Sequence, residues 1–168
     1  ARVRQVGKGI PVVLGGIEAS LRRFAHYDYW SDKVRRSLLV DAKADLIVYG
    51  MAERALGEVA LCLRQGRDGR GIPGTAEVRR GIDGVGSPVE LPSFESVAEP
   101  TVEGRTAFAR MAREIQLLNN PDEPAVLVQK HGDRWVVVHP PAAPLTAVEL
   151  DRLYALPFSR RPHPASPR

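Results

Sequence analysis

The sequence predicts an α/β fold, part of a doubly wound parallel sheet with a helix and a β-hairpin appended to it. Two short apolar runs, residues 10–14 and 45–49, each lead into glycine and then into a helical pattern. Their spacing of about 30 residues is typical of a βαβ unit. Neither run alternates apolar with polar residues, which favours strands covered on both faces, as in a parallel sheet.

Helices are expected after both strands. Residues 21–29 are helical or loop, and Ser31 is a candidate N-cap for a helix through Ala42, because Val34, Leu38 and Ala42 lie four residues apart. Residues 52–63 form a second helix, whose apolar stripe includes Leu56, Val59, Ala60 and Leu63. This order of strand, helix, strand and helix places the first 63 residues in the sheet-forming part of the chain.

The second half of the chain predicts one long helix and a hairpin. Glycines interrupt residues 66–92, where residues 75–79 predict a short edge strand, and residues 88–100 contain three prolines typical of an extended path. Residues 106–118 predict an amphipathic helix. Residues 125–130 and 134–139 flank His131-Gly132-Asp133 and predict a β-hairpin.

Three parts follow from this pattern. Residues 1–92 form the sheet-bearing domain, residues 93–156 a connecting segment of helix, hairpin and helix, and residues 157–168 a proline-rich linker. The last helix is expected to begin at Thr146, since Thr146 and Glu149 have the spacing of a capping box. Because the chain starts without methionine and ends in a proline-rich run, we expect it to belong to a longer polypeptide.

Composition narrows the classes of function. The chain has 168 residues, a formal net charge of +4 and a single cysteine, Cys62. One cysteine excludes an internal disulfide and a cysteine cluster, and favours a reducing compartment such as the cytoplasm. Neither a signal-like segment nor an apolar run of about 20 residues occurs, so no membrane partner is expected. A solvated basic surface explains the modest charge better than a nucleic-acid partner does.

Two glycine turns are candidate ligand contacts. Gly15 and Gly16 follow the first predicted strand, and Gly50 follows the second, with Glu53 in the first turn of the next helix. Ligands of open parallel sheets bind at the carboxyl ends of strands, where glycine lets the backbone approach them. A tight strand-to-helix turn is the simpler explanation of the glycines, and the helix dipole alone explains Glu53.

Residues 21–36, called here the arginine–aromatic segment, combine clustered aromatic side chains with arginines. Such a segment can form an interface between domains, belong to an ordinary core, or bind a ligand or nucleic acid. Asp28 and Asp32 offer partners for the arginines within the segment. We predict an interdomain interface, formed by Arg22, Arg23, His26, Tyr27, Tyr29, Trp30, Arg35 and Arg36.

The sequence predicts neither catalytic residues nor a metal site. The four histidines are scattered, without the H-x-x-x-H or H-E-x-x-H spacing of metal ligands. The nucleophile motif G-x-S-x-G does not occur, and no pair of carboxylates stands out.

Several longer strings carry a resemblance to a known family. They are VLGGIEASLRR at residues 13–23, AHYDYWSD at 25–32, VRRS at 34–37 and LVQKHGDR at 127–134. With shorter matches as far as residues 162–164, the chain resembles the YgiQ-type (UPF0313) radical SAM proteins over nearly its whole length.

The resemblance implies a Rossmann-like domain similar to cobalamin-binding domains, placed before a radical SAM core that is its partner in the same polypeptide. In that family a C-x-x-x-C-x-x-C motif holds a [4Fe–4S] cluster that binds S-adenosylmethionine. This motif and the cobalamin motif D-x-H-x-x-G are both absent here. We therefore expect a non-catalytic N-terminal portion of a radical SAM enzyme, without a cofactor of its own. Any cofactor would contact Gly15, Gly16, Gly50 and Glu53.

The alternative is a stand-alone α/β module that binds RNA or a protein. A steep salt dependence of binding would distinguish RNA recognition from the radical SAM hypothesis. The substrate and the reaction after radical formation stay open.

Overall fold

A computed structural model describes residues 3, 5, 7, 9–159 and 161. The described residues form a six-stranded sheet in the order β1-β4-β5-β8-β7-β6 and a separate two-stranded hairpin, β2-β3. The strands are β1 Val13–Leu14, β2 His26–Asp28, β3 Lys33–Arg35, β4 Leu46–Val48, β5 Thr75–Arg79, β6 Val89–Leu91, β7 Leu127–His131 and β8 Arg134–Val138. The helices are α1 Ile17–Leu21, α2 Leu38–Ala42, α3 Glu53–Arg64, α4 Phe94–Ala98, α5 Val102–Leu118 and α6 Ala147–Tyr154.

The α/β class predicted from the sequence is confirmed, and the strands of the predicted βαβ unit, β1 and β4, pair in parallel. A second parallel pair, β6 with β7, closes the opposite edge. The three central pairs are antiparallel, so the sheet is mixed rather than parallel throughout. The cause lies after α3: the loop at residues 66–74 returns to the carboxyl end of β4, where Tyr49 N donates to Gly74 O at 2.9 Å.

The predicted hairpin is present as β7 and β8, with Gly132 in the left-handed region at the turn (φ 61°). It is not a separate appendage, because β8 also pairs with β5 and places the hairpin inside the sheet. The predicted edge strand β5 is therefore central. The valines at residues 136–138 are at most 2% exposed. A strand buried this deeply needs a paired strand along each edge and packed elements on both of its faces.

Helices cover the two faces of the sheet unequally. The larger apolar core joins Ile47, Ala76 and Val136 to buried residues of α1, α2, α4 and α5. The smaller core lies under α3, whose Ala55 and Val59 contact the opposite side of β4. Alternate residues of β4 thus face different helices, as the two-residue period of a strand requires.

One predicted helix is wrong over half of its length. Residues 33–35 of the expected helix 31–42 form β3, and α2 begins only after Ser37, whose Oγ accepts from Leu39 N at 3.2 Å. Pairing with β2 replaces the local helical preference there, which shows tertiary contacts overriding a weak apolar spacing.

The remaining helices agree more closely with prediction. The helix expected at 52–63 is α3, the helix expected at 106–118 starts one turn earlier as α5, and Thr146 and Glu149 form the predicted capping box of α6. The expected extended path at 88–100 contains β6 and α4 instead. Most of the predicted linker at 157–168 lies outside the described residues.

Candidate functional site

The glycines predicted to contact a ligand meet at one edge of the sheet. Because β1 and β4 are parallel, their carboxyl ends lie side by side, and Gly15, Gly16 and Gly50 follow them directly. The hydroxyl of Ser20 joins the two turns: its Oγ donates to Gly16 O at 2.9 Å and accepts from Gly50 N at 3.4 Å. The structure therefore brings together three of the four predicted ligand contacts.

The helices that follow β1 and β4 lie on opposite faces of the sheet. The chain leaves β1 through α1, whose Ala19 joins the core on one face, and leaves β4 through α3, whose Ala55 joins the core on the other. Ligands of open α/β sheets bind beside the carboxyl ends of the strands.

The surroundings of these strand ends are exposed and partly apolar. Ile17 is 78% exposed and Met51 is 62% exposed directly after the two glycine turns. Glu53 is exposed in the first turn of α3. Gly16 has a φ of 88°, which explains the glycine there by the turn itself.

The arginine–aromatic segment forms the β2-β3 hairpin, and its tip presents two large aromatic side chains to solvent. Tyr29 is 77% exposed and Trp30 is 88% exposed, with ring centroids 5.7 Å apart in an edge-on arrangement. Tyr27 is also exposed, and its hydroxyl donates to Asp32 Oδ1 at 2.5 Å. Tyrosine and tryptophan side chains that are exposed to solvent in this way are typical of protein interfaces.

Three arginines of the segment have acidic partners at the surface. Arg22 contacts Glu18 at 2.9 Å, Arg35 contacts Asp28 at 3.4 Å, and Arg36 contacts Asp41 at 2.7 Å. Each cation is thus compensated within the chain. This pairing lowers the net positive field that the hairpin would offer to a nucleic acid.

Arg23 is used inside the fold rather than at its surface. Its guanidinium lies 4.6 Å from the centre of the Tyr49 ring, and it donates to Ser20 O at 2.5 Å and to Asn119 Oδ1 at 3.1 Å. Burial lowers the pKa of Arg23 from its ordinary value. His26 is half-buried beside Phe24 O, and burial lowers its pKa too.

Two buried polar clusters were not predicted from the sequence. Glu77 of β5 is fully buried and contacts three cationic or imidazole groups: Arg79 at 2.6 Å, Arg70 at 3.2 Å and His139 at 3.0 Å. A glutamate inside the apolar pattern of residues 75–79 was the one available signal. Such a carboxylate needs partners once the strand is central.

The second cluster centres on Gln129, also fully buried. Its Oε1 accepts from Ala25 N at 2.8 Å, its Nε2 donates to Pro92 O at 2.9 Å, and His131 Nε2 lies 3.0 Å from the same Oε1. It ties the base of the β2-β3 hairpin to the sheet. Burial lowers the pKa of His131 to about 4.

A cavity of about 730 Å³ opens at the opposite, amino edge of β1 and β4. Arg36 and Arg70, which line it, already contact Asp41 and Asp68. The cavity is thus lined by ion pairs rather than by uncompensated cations.

The described part of the chain offers neither a metal site nor a membrane-spanning helix. Cys62 is free and buried on α3, and no group of three or more histidine, cysteine, aspartate or glutamate residues there could hold a metal ion. Among the helices that the structure describes, none combines the length and apolar character needed to cross a membrane.

Comparisons with known proteins match the chain over its full length. The family described as "Radical SAM N-terminal" matches residues 1–168. A UPF0313 protein of Geobacter sulfurreducens is 52% identical over 169 residues, which cover 98% of this chain and 27% of that relative. UPF0313 proteins of Bradyrhizobium diazoefficiens and Methanocella arvoryzae are 46% and 44% identical, again over 98% of this chain and 27% of each relative.

The chain therefore spans about a quarter of the length of the curated relatives it matches. No solved structure matches it significantly.

Proposed function

The chain belongs to the radical SAM N-terminal family, and on that premise we propose that it is the non-catalytic N-terminal portion of a radical SAM enzyme. The proposal depends on how much of each protein is aligned: 98% of this chain corresponds to only 27% of a relative that is 52% identical. The remaining length of such a protein has room for a separate catalytic core.

The enzyme of this proposal cleaves S-adenosylmethionine with a [4Fe–4S] cluster, and the residues of this chain do not fit that cluster. A cluster held by three thiolates needs three cysteines, whereas this chain has Cys62 alone. Cys62 lies in the apolar core under α3, with 8% of its surface exposed. The ligands of the cluster are therefore assigned to the part of the enzyme outside this chain.

The role we assign to this chain is to pack against the catalytic core through the tip of the arginine–aromatic segment. Tyr29 and Trp30 supply exposed aromatic area on a short, hydrogen-bonded hairpin, which costs little entropy to immobilise. The pairing of Arg35 and Arg36 with aspartates favours a protein surface over RNA as the partner.

Any cofactor of the complete enzyme that reaches this chain is proposed to meet it at the carboxyl ends of β1 and β4. Gly15, Gly16 and Gly50 follow these strands, and Glu53 offers the carboxylate nearest in sequence to the turn after β4. Support for this assignment comes from the geometry of parallel strand ends, where bound groups approach backbone atoms closely.

The catalytic proposal is tested by comparing the complete protein that contains this chain with the chain alone. Both are reconstituted anaerobically with iron and sulfide, and bound iron and the reductive cleavage of S-adenosylmethionine are measured. We expect the complete protein to bind a cluster and cleave the substrate, and the chain alone to do neither. Cys62→Ser in the complete protein is the control and should leave both unchanged.

A complete protein that fails to bind a cluster would refute the assignment, and loss of the cluster in Cys62→Ser would show that this chain supplies a ligand. The packing role has its own test in Trp30→Ala. This variant should lower the melting temperature of the complete protein and leave that of the isolated chain unchanged, with Lys33→Ala on the same hairpin as control.

A further inference from the structure

Helix α6 and the residues after it expose a group of apolar side chains. None of the eight described residues of the helix is buried. Tyr154 is 70% exposed, and the chain continues with further exposed apolar residues. We call this group the C-terminal apolar surface, which consists of Val148, Leu150, Tyr154, Leu156 and Phe158.

Hydrogen bonds from α3 connect this helix and the residues before it to the rest of the fold. Arg54 of α3 donates to Pro144 O at 3.4 Å, to Ala143 O at 3.3 Å and to Glu149 Oε2 at 2.7 Å. Glu149 also accepts from Thr146 N and Oγ1, both at 2.8 Å. These hydrogen bonds lower the pKa of Glu149 to about 2, those from Thr146 contributing first and that from Arg54 next.

The combination of a polar clamp and an open apolar side is unusual for a helix of this length. An isolated helix of eight residues is marginal in water, and globular proteins stabilise such helices by burying an apolar stripe. Here Leu150 and Tyr154, four residues apart on one face, stay in solvent while Arg54 fixes the helix in place. The helix is thus positioned in advance for a partner.

We infer that the C-terminal apolar surface is a second docking site, besides the tip of the arginine–aromatic segment, for the part of the polypeptide that follows this chain in the complete enzyme. The inference rests on the proposed function, in which this chain is the N-terminal portion of a protein about four times its length. Helix α6 is the last helix among the described residues.

Covalent connection explains why a small surface is sufficient. A flexible linker holds a tethered domain at a high effective concentration, in the millimolar range when the linker is short, so that a few exposed apolar side chains can dock it without a large interface. A second copy or an unrelated protein has no such advantage and would need an interface of roughly 1,000 Å² or more. Five side chains around one short helix favour the tethered occupant.

The test places a photoreactive p-benzoylphenylalanine at position 154 of the complete protein, and peptide mapping identifies what it captures. The inference expects capture of residues beyond position 168 of the same polypeptide. Capture of a second copy, of another protein, or of nothing would overturn it. The same label at Val102, 64% exposed on α5, is the control for general surface reactivity.

Hydrogen exchange gives a second readout without a variant. The amides of α6 should exchange about tenfold or more slowly in the complete protein than in this chain alone, because docking blocks local opening. Equal exchange in the two proteins would also overturn the inference. Neither readout depends on iron: capture beyond position 168 in a protein without a cluster would leave the docking site standing and refute only the proposed catalysis.

Discussion

Protonation of His131 should make the stability of this protein fall steeply below neutral pH. The imidazole is 4% exposed and stacks on Phe94, with ring centroids 5.5 Å apart. Its Nδ1 is buried without a hydrogen-bond partner among the described residues. Burial lowers the pKa of His131 from 6.5 to about 4, because the charged form loses hydration that nothing at Nδ1 replaces.

Neighbouring charges modify this effect without reversing it. Glu95 and Asp41 raise the pKa of His131, while Arg36 lowers it, and desolvation is the largest cause. The Nε2 atom lies 3.0 Å from Gln129 Oε1, which the neutral ring satisfies by donating its one N–H. The folded protein therefore holds His131 neutral down to a pH near 4.

The magnitude follows from linkage. A folded-state pKa below the unfolded value contributes stability that is complete above pH 6.5 and is lost as the pH falls through about 4. At about 1.4 kcal/mol per pKa unit, the total loss is about 3 kcal/mol, of which about 2 kcal/mol is lost by pH 5.0. Most carboxylates are still ionised at pH 5.0, so this loss can be separated from acid unfolding.

The assay is urea unfolding of the parent and of His131→Phe at pH 7.5 and pH 5.0. Phenylalanine keeps the stack on Phe94, and Gln129 Oε1 keeps its bond from Ala25 N, so the two proteins should agree within about 1 kcal/mol at pH 7.5. At pH 5.0 the variant should gain about 2 kcal/mol relative to the parent. The reasoning would be refuted if the stability difference between the variant and the parent were the same at both pH values. His26→Phe, at a histidine that is only half-buried, is the control and should gain less at pH 5.0.

The remaining predictions concern packing, buried hydrogen bonds and the clamp on α6. Gly104→Ala should lower the unfolding free energy by several kcal/mol in urea titrations, because its Cβ would lie 2.1 Å from a backbone carbonyl oxygen. Gly57→Ala should raise it by about 0.5–1 kcal/mol, because its Cβ would meet no atom within 4 Å outside its chain neighbours and the backbone of its own helix. Gln129→Leu should cost about 2–5 kcal/mol in the same assay by leaving buried donors and acceptors unpaired, and the exposed neighbour Lys130→Gln should change little. Arg54→Ala should speed hydrogen exchange of the α6 amides while changing global stability by less than about 1 kcal/mol, and equal exchange would show that the clamp is dispensable.

Several elements and the family can be identified from local patterns of residues. The apolar stripe of α3, the hairpin glycine at Gly132 and the capping box at Thr146 each act within a few residues, so they can be recognised without knowing the fold. The strings around Gly15 and His131 carried the resemblance that the match over residues 1–168 confirms.

The tertiary structure decided which strands are neighbours and which side chains reach the surface. β5 could be recognised as a strand, yet only its pairing with both β4 and β8 made it central and forced Glu77 to acquire three charged or imidazole partners. Arg23 and Arg22 are adjacent in sequence, yet one packs on Tyr49 and the other faces solvent beside Glu18. Strand order and burial depend on contacts between residues far apart in the chain, and no local pattern contains those contacts.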